Sequence, residues 1–234
     1  TGKVGGVKVE AGRQDFTNAD VVDVRGDGVK LAYGSDWQVK GWAFKGVTDF
    51  GNANDTDLED GDRVYVAAVE GAFGAVDTAV RYYNADTFNK NEIVEVALSG
   101  EIAKDLTLRG SWFNGTIDNA AETYVNADDA DTNGWLVGLS YGGAKASEVG
   151  SWGVYANYSD RPLATFLQPT VFSGGYADYP TDTYFDGDGY EGFDVGANVT
   201  LAKNIVAGVK YADFESREGN TDDQTIWSEV VFTF

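Results

Sequence analysis

The sequence predicts an all-β fold, a single transmembrane antiparallel up-and-down β-barrel formed by residues 1–234 with about twelve strands. Three observations carry this expectation. Apolar and polar residues alternate with a period of two through most of the chain. Short and long connections follow one another in turn. Aromatic residues gather near strand ends on one face, while charges occupy the middle of the other.

The alternation is clear at Val7, Val9, Ala11; Val29, Leu31, Tyr33; Val94, Val96, Leu98; Trp135, Val137, Leu139, Tyr141; and Val195, Ala197, Val199, Leu201. Successive side chains of a strand point to opposite faces, so each set lines one side of a sheet. This segmentation places strands near 3–14, 27–35, 37–49, 63–71, 74–86, 91–101, 104–116, 133–143, 149–160, 190–201, 203–216 and 224–234. Helical periodicity is nearly absent, and no run approaches the roughly 20 apolar residues of a spanning helix.

Tight connections fall at 34–36, 71–74, 102–105 and 202–204, with a slightly longer one at 142–148. The others, at 15–26, 50–62, 117–132 and 161–189, are longer and rich in Asp, Asn, Gly and Thr. Short turns on one side and long loops on the other are the asymmetry of bacterial outer-membrane barrels. With the short turns periplasmic, the first strand is expected to run outward and the last to return, giving an even count. The segment 161–189 is expected to be a long extracellular loop that folds into the lumen, packs on a neighbouring subunit or stays outside.

A soluble sandwich alternates too, and the two faces discriminate. Tyr33, Trp37, Tyr82, Trp112, Trp135, Tyr141, Trp152, Tyr158, Tyr211 and Phe234 lie near strand ends on the apolar face. They predict two aromatic girdles bounding a band of Val, Leu and Ala. The opposite face carries Lys8, Glu10, Lys30, Lys40, Glu70, Asp77, Arg81, Glu95, Arg109, Asp194, Lys210 and Glu229. A dry interior would charge several kcal/mol for each unpaired member, so a lumen reached by water is expected around them.

Composition narrows the function classes. Asp and Glu number 38 against 17 Lys and Arg, a net charge of −21 that argues against a nucleic-acid partner. There is no cysteine, hence no disulfide framework or thiolate metal site. There is no histidine, which removes a Ser-His-Asp triad and His-ligated metals, and no enzymatic role is expected. Asp129-Ala130-Asp131-Thr132-Asn133-Gly134 matches the opening of an EF-hand loop, but its twelfth position is Ser140. Without a bidentate Glu there, an Asp-rich loop is the expectation, with Asp129, Asp131 and Asn133 only a weak Ca²⁺ site and no cofactor required. Asp182, Asp186 and Asp188 make a weaker one still.

The C-terminal Thr225 to Phe234 ends in an aromatic with apolar residues at alternating positions, Val230, Phe232 and Phe234. It resembles the terminal assembly signal of outer-membrane proteins, which implies recognition by the barrel-assembly machinery and pairing of the last strand with the first. The stretches GVKVEAGRQDF (6–16) and LAKNIVAGVKYADFE (201–215) resemble strands of bacterial porins. The second is also similar to the barrels attached to S-layer-homology domains in diderm Firmicutes, which implies a homotrimer. General porins have about 16 strands. Because the chain opens on Thr1 and has no Met, it is expected to be a mature form or the C-terminal part of a barrel of 14–16 strands.

The resemblance implies an outer-membrane porin, a water-filled channel for passive diffusion of small polar solutes and ions, in contact with membrane lipid and lipopolysaccharide. Five acids in each of 50–62, 117–132 and 161–191 predict mild cation preference at the mouth, screened by salt beyond about 8 Å. Two rivals stay open: a structural barrel or adhesin whose loops bind a partner, and a soluble β-protein.

Overall fold

The computed structural model describes residues 1–18, 20–46, 63–86, 90–116, 132–167, 189–217 and 222–233. These form one sheet of thirteen antiparallel strands in strict sequence order. The strands are β1 Gly2–Val4, β2 Val7–Asn18, β3 Val22–Gly34, β4 Trp37–Gly46, β5 Arg63–Phe73, β6 Val76–Asp86 and β7 Glu92–Ala103. There follow β8 Leu106–Thr116, β9 Asn133–Gly142, β10 Trp152–Arg161, β11 Tyr190–Ala202, β12 Ile205–Ser216 and β13 Asp222–Phe232. Each strand hydrogen-bonds to the next, as an up-and-down architecture requires. Among the described residues the ladder runs from β1 to β13, with no pairing between its two ends.

Two sequence expectations change. The expected first strand, 3–14, is a hairpin: β1 and β2 pair Val4 with Val7 across Gly5-Gly6. Both glycines have positive φ, +54° and +85°, the conformation of a type I′ turn, which L-residues with side chains resist. The strand count is therefore thirteen, and β1 runs toward the short turns. The second change concerns 15–26, read as a loop. β2 continues to Asn18 and β3 begins at Val22, with Phe16 opposite Val24 and Asn18 opposite Val22.

The cause of that second error is a reversal of pattern along the strands. Near the short turns the apolar side chains of β2 and β3 are outside, as at Val9 opposite Leu31. Near the loops the outside carries Arg13, which donates from Nε and Nη2 to the two carboxylate oxygens of Asp27 (3.0 and 3.1 Å), and the inside carries Phe16. The period of two survives, but its polarity inverts.

The inverted ends form the core. Phe16, Val21, Val22, Phe44, Val64, Val66, Tyr83, Ala85, Ile93, Phe113, Leu136 and Leu167 make one buried cluster. Phe16 stacks on Phe44 with ring centroids 4.1 Å apart. A Cβ on Gly28 would fall 2.6 Å from the Phe44 Cβ, so the bare backbone there gives the ring its seat. After β10 the chain enters this core through Pro162 and a single 3₁₀ turn, Leu163–Thr165, and Leu163 to Leu167 are all buried. Gly115 of β8 admits it, since a Cβ would lie 1.9 Å from the Ala164 carbonyl oxygen. Of the segment 161–189, the described start thus packs inside the sheet; 168–188 lie outside the described residues.

The convex face is apolar. Val39, Val69, Val80, Leu98, Leu108, Val137, Leu139, Val154 and Val209 are all exposed there. β9 and β10 show the aromatic arrangement most plainly. Trp135 packs on Tyr158 (5.4 Å between centroids) toward the loops, and Tyr141 on Trp152 (5.6 Å) toward the turns. On each strand the two aromatics are six positions apart, roughly 20 Å along the chain. Tyr82, Trp112 and Tyr211 continue the loop-side belt, the last beside Phe193 (6.0 Å). Tyr33, Trp37, Phe73 and Phe232 lie toward the turns, as does Val230 on the same face of β13. Phe234 lies outside the described residues.

Candidate functional site

Cross-strand register puts all twelve charges expected to face the lumen on the concave side, and six of them fall in two networks. The first crosses β4 to β7. Lys40 pairs with Glu70; Arg81 donates from Nε to Glu70 Oε1 (2.7 Å) and from Nη1 to Glu95 Oε1 (3.0 Å); Tyr83 donates its hydroxyl to Glu95 Oε2 (2.8 Å). Glu95 is fully buried. Water does not reach it, contrary to the sequence expectation: a buried carboxylate is tolerated because a guanidinium and a phenol satisfy both its oxygens.

The second network lies on β8 to β11. Arg109 donates from Nε and Nη2 to Asn157 Oδ1 (3.2 and 3.1 Å), and the Asn157 amide donates to both oxygens of Asp194 (3.2 and 3.0 Å). Asp194 is also buried, so pairing again takes the place of hydration. Gly138 lets these groups lie flat on β9, since a Cβ there would be 2.2 Å from Asn157 Oδ1. The remaining charges are looser. Lys210 and Glu229 stand 3.8 Å apart, Lys8 and Glu10 are paired on one strand at 2.9 Å, and Asp77 is exposed near the turns. Lys30 donates to the Asp15 carbonyl and lies over the rings of Phe16 and Trp42 (4.7 and 5.3 Å).

Beside the second network is a cavity of about 270 Å³, lined among others by Asp20, Arg109, Tyr155, Asn157, Arg161 and Asp194. Arg161, almost wholly buried, roofs it. The guanidinium lies 3.7 Å from the Phe113 ring centroid, donates from Nε to Thr165 Oγ1 (3.1 Å), and donates from Nη2 to the carbonyls of Thr165 and Asp20 (both 2.6 Å). Asp20 accepts from Arg109 Nη1 and from Ser111 Oγ, both at 3.2 Å.

Sequence reading missed Arg161, Asp20, Asn157, Tyr155 and Tyr83. A signal existed for three of them: Tyr155, Asn157 and Arg161 share the concave parity of β10, and the strand ends one residue later than expected. Asp20 had none, because its partners are 89 and 91 residues away. The weak Ca²⁺ site falls largely outside the described residues. Asp129 and Asp131 lie outside them, as do Asp182, Asp186 and Asp188, and Asn133 opens β9, accepting from the Asn114 amide (3.1 Å).

No protein-family model matches the chain, and no curated protein matches it. Solved structures do. OccAB2 of Acinetobacter baumannii superposes with a TM-score of 0.64 at 10% identity, over 99% of this chain and 65% of that one. OccK9 (OpdG) of Pseudomonas aeruginosa gives 0.59 at 11% identity, over 99% and 64%. The outer membrane protein OpdK of the same organism gives 0.59 at 11%, over 99% and 67%. The chain has the fold of these barrels and spans about two thirds of their length.

Proposed function

We propose that the chain forms an outer-membrane channel of the porin type, through which small polar solutes and ions diffuse passively. One observation carries the reading: the exposed convex face is apolar and bounded by aromatic belts on both sides, while the charges in the middle of the strands lie on the concave face. That distribution suits lipid outside and water inside, the reverse of a soluble protein. The shared fold with an outer membrane protein supports it. Passage of this kind requires no bond to be broken, so the function is transport and not catalysis.

The same reading includes mild cation preference from the acidic stretches 50–62 and 117–132, nearly all outside the described residues. It also includes lipid and lipopolysaccharide as surroundings, and delivery by the barrel-assembly machinery through Val230, Phe232 and Phe234. Trimer formation and kinship with S-layer-homology-linked barrels rest on the resemblance of 201–215 alone. Reconstitution of the full chain in planar bilayers tests the core claim. Steady single-channel steps are expected, with a reversal potential in a KCl gradient displaced toward K⁺; their absence sinks the channel. A second reading, a structural barrel or adhesin, is favoured by the apolar packing at the loop end and would give no steps.

A further inference from the structure

The turn between β2 and β3 leaves its own wall and reaches across the concave face. Its described residues, Asp20 and Val21, are held by groups far away in sequence. Arg161 and Arg109 reach it from β10 and β8, and Ser111 adds a hydroxyl. Backbone joins in as well, for Leu167 N–H donates to the Val21 carbonyl (2.9 Å). Val21 and Val22 are fully buried. Four hydrogen bonds therefore seat this strap on the opposite wall, one of them a charge pair.

We propose that Asp20 sets the charge of the lumen at this level, by holding the strap on the β8–β10 wall and neutralising Arg109 above the cavity. The inference rests on the channel reading. Arg161 is spent on carbonyls, Thr165 and the Phe113 ring, all within the packed core. Arg109 is different: its side chain is 40% exposed while its Asp20 partner is 15% exposed, so it faces the passage, and Asp20 is the carboxylate that offsets it from the far wall. Removing the Asp20 charge leaves Arg109 without its direct ion-pair partner and makes the cavity lining, which also holds Asp194, more positive by one unit. A fixed charge in a narrow, low-dielectric passage enriches its counter-ion, here an anion.

The test has two arms. With no native cysteine in the sequence, Asp20→Cys with Ser111→Cys gives a cross-link that reports the strap directly. Oxidation is expected to form the disulfide in the folded full chain, read as a gel shift reversed by reductant; failure to form it overturns the seating. In bilayers, Asp20→Asn is expected to move the anion-to-cation permeability ratio toward anions by at least about twofold. Asp20→Asn with Arg109→Gln should return near the parent value. Conducting Asp20→Asn channels with unchanged reversal potential overturn the proposal. If the parent chain conducts nothing while the cross-link forms, the channel reading fails and the selectivity role falls with it, although the strap is seated as described.

Discussion

The two ends of the same strands are opposites. Toward the short turns the outside is apolar and aromatic, and the concave side carries Lys40, Glu70, Asp77 and Lys210. Toward the loops the concave side holds Phe16, Phe44, Tyr83, Phe113 and Phe214, and the outside carries charges such as Arg13 and Asp27. A strand has only two faces, so the exchange reports a change of solvent along its length. On the channel reading, lipid gives way to water outside just where wet gives way to dry inside. The paired networks of Arg81 and Arg109 lie between the halves, where charge and packing must coexist.

Five substitutions, one of them a control, test that contrast. Phe113→Ala empties a fully buried site and removes the ring under Arg161, and should cost about 3–5 kcal/mol in urea unfolding from detergent. Leu108→Ala on the convex side of the same strand is the control and should cost much less. Val80→Arg places a charge in the middle of the convex band and should cost about 2–4 kcal/mol in lipid bilayers, whereas Arg13 on the same side near the loops is already accommodated. Tyr83→Phe removes the phenol that donates to buried Glu95 and should lose about 1–3 kcal/mol. Arg13→Ala breaks a pair whose members are both about half exposed, and a change of at most about 1 kcal/mol is expected in the same unfolding assay. Equal effects for Phe113→Ala and Leu108→Ala would remove the distinction between a dry end and a lipid face.

This contrast also explains what the sequence made legible. A strand such as β9 is recognised within a residue because its outward face, Trp135, Val137, Leu139 and Tyr141, stays apolar from end to end. The start of β3 is not, because the inversion at Val22 reads as a break in alternation. Gly5-Gly6 was overlooked because it sits inside an otherwise regular run, and two glycines carry no side chain to mark a face. The charged residues of the lumen were visible one by one from their parity. Their partnerships were not: Arg81 with Glu95 spans neighbouring strands, but Arg109 with Asp20 depends on how the sheet curls, which no local spacing encodes.

The outward-facing charges at the loop end have a further physical meaning. Asp160, bound to Arg217 Nε at 2.7 Å, sits two residues beyond Tyr158 on β10, and by register Glu191 and Glu215 stand beside it. Pushing the protein deeper by one or two residues would drag these groups into hydrocarbon, at a cost of several kcal/mol. Pulling it the other way would lift Tyr141 and Trp152 out of their interface. The molecule therefore carries its own depth of immersion, fixed on one side by a ring of charge and on the other by a ring of aromatics.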